Sequence, residues 1–398
     1  MSLSDISNTI QKNFNIRCLT AGVRLSPKDW ENTLKKTRLF LERGEERLIE
    51  SGYLLQMKRV STNPFHEYTG GMKPAEALRF LQEVAAYAGE FGLFLSIGPV
   101  MDPGENPGRM MEILPPLLAE TSVFSAAVLS LGGDSGSGIS VVQTAELMCE
   151  LASASMMANF QFAALAGILP ETPFFPAAYH SGGQNGFSVG TESARLVQNV
   201  FAETGPGMNL EKAERLLRTV CTREFKALEE SCLGIAGESG WAFDGLDTSP
   251  APMKDISIGE AIESLLGRPF GAAGTLSVCS MITRVIKNIP VKKAGYCGLM
   301  LPVMEDEVLA LRAAEGRYGL AELLSYSAVC GTGLDVIPLP GDVSSEALGR
   351  LLLDVCSLSD KLKKPLSARL IPIEGGSAGD PVKLDSPYLV PTRIFDLS

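Results

Sequence analysis

Two histidines occur in the 398 residues, and their contexts differ. His66 sits in NPFHEY. His180 sits in TPFFPAAYHSGGQNGFSVGTESA, where prolines and aromatics lead in, a glycine turn follows, and Glu192 is expected to begin a helix. An imidazole beside glycines suits proton transfer near neutral pH, so His180 is the catalytic candidate of the two. Capping a loop is its plainer role. A second stretch, GWAFDGLDTSPAPM, places Asp244 and Asp247 three residues apart on a turn locked by Pro250 and Pro252. Asp-Gly forms turns unaided, because Asp bonds its own backbone two residues on. Delivered by a strand to a pocket rim, the same pair can bind hydroxyls, hold a divalent cation or share acid/base work.

Further acids stand where strands are expected to end. Glu305 and Asp306 open a helix in LPVMEDEV, where negative charge is stabilising in any case. Asp335 follows two glycines in CGTGLDVIPLPGD, and Asp342 follows Pro-Gly; both also fit turns or caps. The candidate metal ligands are Asp244, Asp247 and Asp306. Cysteine recurs beside glycine at Cys279, Cys297 and Cys330. Core packing is the usual fate of each. At Cys330 a following glycine turn is expected to leave the thiol accessible among backbone amides, which makes it a candidate nucleophile. LGGDSGSG (131–138) is a glycine–serine loop between a strand and a helix. It matches neither dinucleotide nor P-loop spacing, although helix-start amides there suit an anion.

These side chains need a frame. Apolar runs that read as strands are NFNIRCLTAGVRL, YLLQMKRVST, LFLSIGPV, SVFSAAVLSLGG and NFQFAALAGI. Helices alternate with them: one opened by Ser26-Pro27, then about 74–91, 109–118 and 139–154. The second half reads as a long helix at 209–236, helices near 258–266 and 274–287, and strands in GYCGLMLPVM, GLDVIPLP and SARLIPI. Between the last two lies an amphipathic helix with Leu348, Leu351, Leu352, Val355 and Leu358 on one face. Strand–helix alternation with unbroken apolar strands predicts an α/β fold, doubly wound or barrel-like, with a mostly parallel sheet buried on both faces. Ligands of such folds gather at the carboxyl ends of strands. No linker breaks the chain, so one domain over 1–398 is expected.

Composition narrows the partners. A 45% hydrophobic, 20% charged chain supports a large core, and 40 glycines suit close packing and tight turns. A net charge of −11 without a basic patch argues against nucleic acid and anionic membranes. The apolar stretches are too short to span a bilayer, and MSLSDISNTIQKNF shows no secretory pattern. Eight scattered cysteines without C-x-x-C spacing fit a reducing cytoplasm. A homo-oligomer is expected.

Six motifs in order (STNPF, TPFFPAAYH, FDGLDTSPAPM, GLMLPVMEDEVL, CGTGLDVIPLPGD and KPLSARLIPIEGGSAGD) resemble the family called domain of unknown function 711. It is also known as uncharacterised protein family 0210 or the PFL family. The resemblance covers nearly the whole chain. It implies a barrel-like α/β fold similar to pyruvate formate-lyase and the glycyl radical enzymes, and an ACT-domain protein as a partner. It carries no reaction with it. The radical enzymes' C-terminal arginine–glycine–aromatic segment is missing: Arg369 is followed three positions on by Pro372, and Gly375-Gly376 have no aromatic neighbour. No Cys-Cys pair occurs either.

The expected activity is polar acid/base chemistry on a small hydroxylated or carboxylated metabolite. His180 and Asp244 transfer protons, Asp247, Glu192, Asp335 and Arg369 bind substrate, and the Arg369 guanidinium suits a carboxylate. The alternatives are a metabolite-binding regulatory protein and thiol or radical chemistry at Cys330.

Overall fold

A computed structural model describes residues 14–101, 107–130, 139–207 and 209–397. The glycine–serine loop at 131–138 lies outside the described residues. Among those described, one sheet holds β1 (Asn15–Val23), β2 (Leu55–Thr62), β3 (Phe94–Val100), β4 (Phe124–Ser130), β5 (Ile139–Ser140), β6 (Phe162–Ala166), β7 (Gly186–Glu192), β8 (Ala242–Asp247), β9 (Gly333–Pro340) and β10 (Leu366–Ile373). Their order is β8-β7-β1-β2-β3-β4-β6-β10-β9, with the two-residue β5 beside β4. β1, β2, β3, β4 and β6 run parallel. β7 joins β1 antiparallel and β10 joins β6 antiparallel, while β7 with β8 and β10 with β9 are again parallel. The sheet is thus mostly parallel, as the apolar strands predict.

One face packs on helices through the large core, where Phe162, Phe187, Phe201 and Phe225 are fully buried. Each such ring contributes about 1.5–3 kcal/mol by leaving water. Residues of seven strands line one cavity on the other face, so the sheet must curl around it. The curl does not close into a barrel. β8 and β9 are not paired; the segment 292–303 bridges them instead. Leu246 N donates to Lys292 O (2.9 Å) and Ala294 N to Leu246 O (3.0 Å) on one side. Val303 N donates to Asp335 O (3.0 Å) and Gly331 N to Leu299 O (2.7 Å) on the other.

GYCGLMLPVM is therefore no strand. Gly295 and Cys297 take φ of 80° and 47°, which a strand forbids. The amides of this segment go to side chains: Tyr296 and Cys297 donate to Asp247, Gly298 to Ser249 Oγ and Leu299 to Thr283 Oγ1. Ser26-Pro27 does not open a helix. Asp29 N donates to Ser26 O in a turn, and the helix runs Trp30–Glu50. Glu192 ends β7, and the helix after it is Ala194–Thr204. The long helix covers Leu210–Ser239. Asn209 caps it by accepting from Lys212 N, and Gly240 ends it in the left-handed region. Among the described residues, no helix is long and apolar enough to cross a membrane.

Candidate functional site

The cavity on the concave face has a volume of about 80 Å³. Its charged wall is Arg17 from β1, Arg59 from β2, Arg369 from β10, Asp335 from β9, and Glu305. Each arginine projects to the concave face because neighbouring strand residues, such as Ile16, Val60 and Leu370, fill the opposite core. Phe174, Phe175, Tyr296, Met57 and Met300 supply apolar surface.

The carboxylates are committed to two of the three guanidiniums. Arg369 donates from Nε to Asp335 Oδ1 (2.7 Å) and from Nη2 to Glu305 Oε1 (2.8 Å). Arg17 Nη2 donates to Glu305 Oε2 (3.2 Å). Arg59 has no acid partner among the described residues. It lies over Phe175, 4.8 Å from the ring centroid, and donates to Pro173 O at 3.3 Å. Burial above all pulls the Arg59 guanidinium below its ordinary range, whereas Asp335 and Glu305 hold Arg369 above it against burial. Asp335 itself is pushed up by burial, with Glu305 adding to the effect and Arg369 opposing it.

Three buried atoms on this wall make no hydrogen bond: Arg17 Nη1, Arg59 Nε and Thr332 Oγ1. An unpaired buried donor costs about 1–3 kcal/mol. All three can donate, and three guanidiniums face two carboxylates on the wall itself. Glu192, behind Arg17, stands 3.7 Å from Nη1; Gln56 hydrogen-bonds it and burial pushes its carboxyl up.

The residues singled out from sequence fall into three groups. Asp335 and Arg369 meet at this cavity, with Glu192 just behind it. His180 and Asp244 do not line it; they stand together at the far end of β1 and β7. Asp247, Asp306 and Cys330 belong to the scaffold. Asp247 is fully buried and accepts from Ser249 N, Ser249 Oγ, Tyr296 N and Cys297 N. Asp306 accepts from Ser257 Oγ, Ile258 N, Gly259 N, Val308 N and Leu309 N, tying two helix starts together. With these oxygens occupied, Asp244, Asp247 and Asp306 do not assemble a cation site. No three His, Cys, Asp or Glu side chains form a metal-binding group among the described residues.

The expected accessibility of Cys330 is overturned. Its side chain is fully buried in the main core. The glycine after it serves backbone packing: a Cβ on Gly331 would stand 2.6 Å from Gly298 Cα. Cys297 is also buried, which raises its thiol to about 12. Arg17, Arg59, Thr332 and Glu171 were not legible as site residues. An arginine in a strand reads as a solvent-facing charge until the curl of the sheet is known.

The model of the family described as Uncharacterised ACR (DUF711) matches residues 9–385. A UPF0210 protein of Pyrobaculum arsenaticum is 32% identical over 241 residues, covering 55% of this chain and 51% of the relative. One from Pyrobaculum islandicum is 28% identical over 391 residues, 90% of this chain and 82% of its own. One from Desulforudis audaxviator is 26% identical over 412 residues, 96% and 91% respectively. The match thus spans about half of the first relative and most of the other two. The family match runs through both edges of the sheet and the charged wall of the cavity, and on that extent the chain belongs to the DUF711 family.

Proposed function

We propose that this protein is an enzyme that binds a small monocarboxylate in the arginine-walled cavity and acts on it by proton transfer. The observation that carries the reading is the set of three buried donors without a hydrogen bond, Arg17 Nη1, Arg59 Nε and Thr332 Oγ1, around one hollow; Arg17 Nη1 has only its 3.7 Å ion pair with Glu192. A carboxylate offers about four acceptor positions and one negative charge, which matches both the donors and the Arg59 guanidinium, which has no acid partner among the described residues. The volume is about half that of a cavity that holds benzene, so the acid has roughly two to four carbons. Asp335 is the group we assign to proton transfer. It lies on the wall, one oxygen held by Arg369, with its carboxyl raised by burial. A thiol or radical reaction at Cys330 has no support from a fully buried side chain.

The test is thermal stabilisation by acetate, propionate and lactate against chloride. Wild type should be stabilised by about 2.7 kcal/mol at a hundredfold excess over Kd. Arg59→Met should lose at least about tenfold in affinity while keeping its fold. Equal shifts in wild type and variant would remove the reading. The regulatory alternative draws on the engagement of both wall carboxylates by arginines, which suits holding a ligand more than transforming it. Mass spectrometry of the bound acid after incubation separates the two: a consumed ligand means catalysis.

A further inference from the structure

The carboxyl ends of β1 and β2 carry a second group of side chains, across residues 173–176 from the arginine cavity. His180 is only 2% exposed, and its amide donates to Thr62 O. The ring lies on Gly22, where a Cβ would stand 2.8 Å from Nδ1. Neither ring nitrogen makes a hydrogen bond, and Glu171 Oε1 stands 3.5 Å from Nδ1. Gly22 pairs directly with Gly186 across the antiparallel β1–β7 ladder, and a Cβ on Gly186 would collide with the Asp244 carboxylate. Imidazole and carboxylate therefore lie over adjacent glycines whose Cα atoms are about 4.5–5.5 Å apart. Two absent side chains make the floor on which they meet.

This group is acceptor-rich where the other cavity is donor-rich. No Arg or Lys side chain hydrogen-bonds to Glu171 or Asp244 among the described residues. His180 and then Lys292 oppose the rise of the Asp244 carboxyl, and Lys292 gives its ammonium to Phe243 O. Glu171 accepts from Ser181 N at 3.1 Å. Arg24 and Glu67 border Gly182 above the group. Burial, then the charge of Glu171, pushes the Asp244 carboxyl up to about 6. Ser181 and residues 183–185 are exposed, and Asp244 is half-buried, so the group is reached from solvent.

We propose that Glu171, His180 and Asp244 form a second ligand site, one that takes the ammonium group of a small primary amine. An ammonium has three N–H donors, and two carboxylates with one imidazole nitrogen are three acceptors. Charge-assisted bonds of this kind are about twice as strong as neutral ones. A hydroxyl supplies one proton and leaves two acceptors unmet. The site stands independently of the carboxylate cavity.

The experiment follows the His180 ring resonances by NMR, assigned with His66→Gln, during titration with methylammonium. A saturable shift is expected in wild type. It should weaken at least about tenfold in both Asp244→Asn and Glu171→Gln. It should also weaken as the pH falls from about 8 to about 5 and Asp244 gains its proton. Arg59→Met, in the other cavity, should bind methylammonium like wild type. Tetramethylammonium, which has no N–H, should leave the resonances unmoved. A response to tetramethylammonium equal to that for methylammonium, or unchanged affinity in both carboxamide variants, would overturn the site.

Discussion

Asp244 shows what a single residue contributes. Its carboxyl is raised from 3.8 to about 6, first by burial and then by Glu171. The folded state therefore holds this proton more tightly than the unfolded chain does. Stability from this group is fully present below pH 4 and declines as pH rises through about 6. Because Asp244 keeps contact with solvent, the full shift overstates the cost, and about 1–2 kcal/mol is the expected penalty at neutral pH. Asp244→Asn should be more stable than wild type by that amount at pH 8 and indistinguishable from it at pH 4, as read from urea midpoints. The ionisation of Asp244 opposes folding, and the residue stands on a glycine floor beside a buried imidazole, which is the ground for the amine site proposed above. At Asp247 burial also pushes the carboxyl up, but four donors, from Ser249, Tyr296 and Cys297, surround it and oppose the rise.

At the scale of elements, Asp306 couples two helices. Its oxygens accept from the first turns of Ile258–Leu266 and Glu307–Ala314. One carboxylate thus does the work of two caps. Asp306→Ala should cost about 2–4 kcal/mol by urea denaturation, more than loss of an ordinary cap, because buried amides at both helix starts lose their acceptor. The sequence reading placed Asp306 at a helix start, which is correct. It could not show the second helix, since Ser257 is 49 residues away. The elements themselves were largely legible. β3 and β4 are short, mostly apolar runs, β1 and β2 are apolar stretches interrupted by polar residues such as Arg17, Lys58 and Arg59, and Leu210–Ser239 carries a helical face bounded by Asn209 and Gly240. β7 was not legible. GFSVGTE mixes glycines and hydroxyls, and its strand state depends on pairing with β1 on one side and β8 on the other.

Across the whole molecule, the segment 292–303 links both sheet edges and also supplies Tyr296, Met300 and Pro302 to the cavity wall. Gly298 is where its backbone approaches that of Gly331, since a Cβ there would stand 2.6 Å from Gly331 Cα. Gly298→Ala should push the bridge outward. The expected result is a loss of about 1–3 kcal/mol in stability together with weaker stabilisation by acetate. A variant that loses stability yet keeps the full acetate response would separate the bridge from the cavity.

The sequence by itself determined the α/β class, the mostly parallel sheet and most element positions, and it singled out His180, Asp244, Asp335 and Arg369 as candidates without saying which of them meet. These rest on local signals: apolar periodicity, caps, and polar residues at strand ends. The tertiary structure decided that Asp335 and Arg369 meet at the cavity while His180 and Asp244 stand together away from it, that Arg17 and Arg59 turn inward, and that Cys330 is sealed in the core. Those outcomes depend on which face of a curled sheet each side chain meets, and curl arises from contacts between residues hundreds of positions apart, as between Arg17 and Glu305.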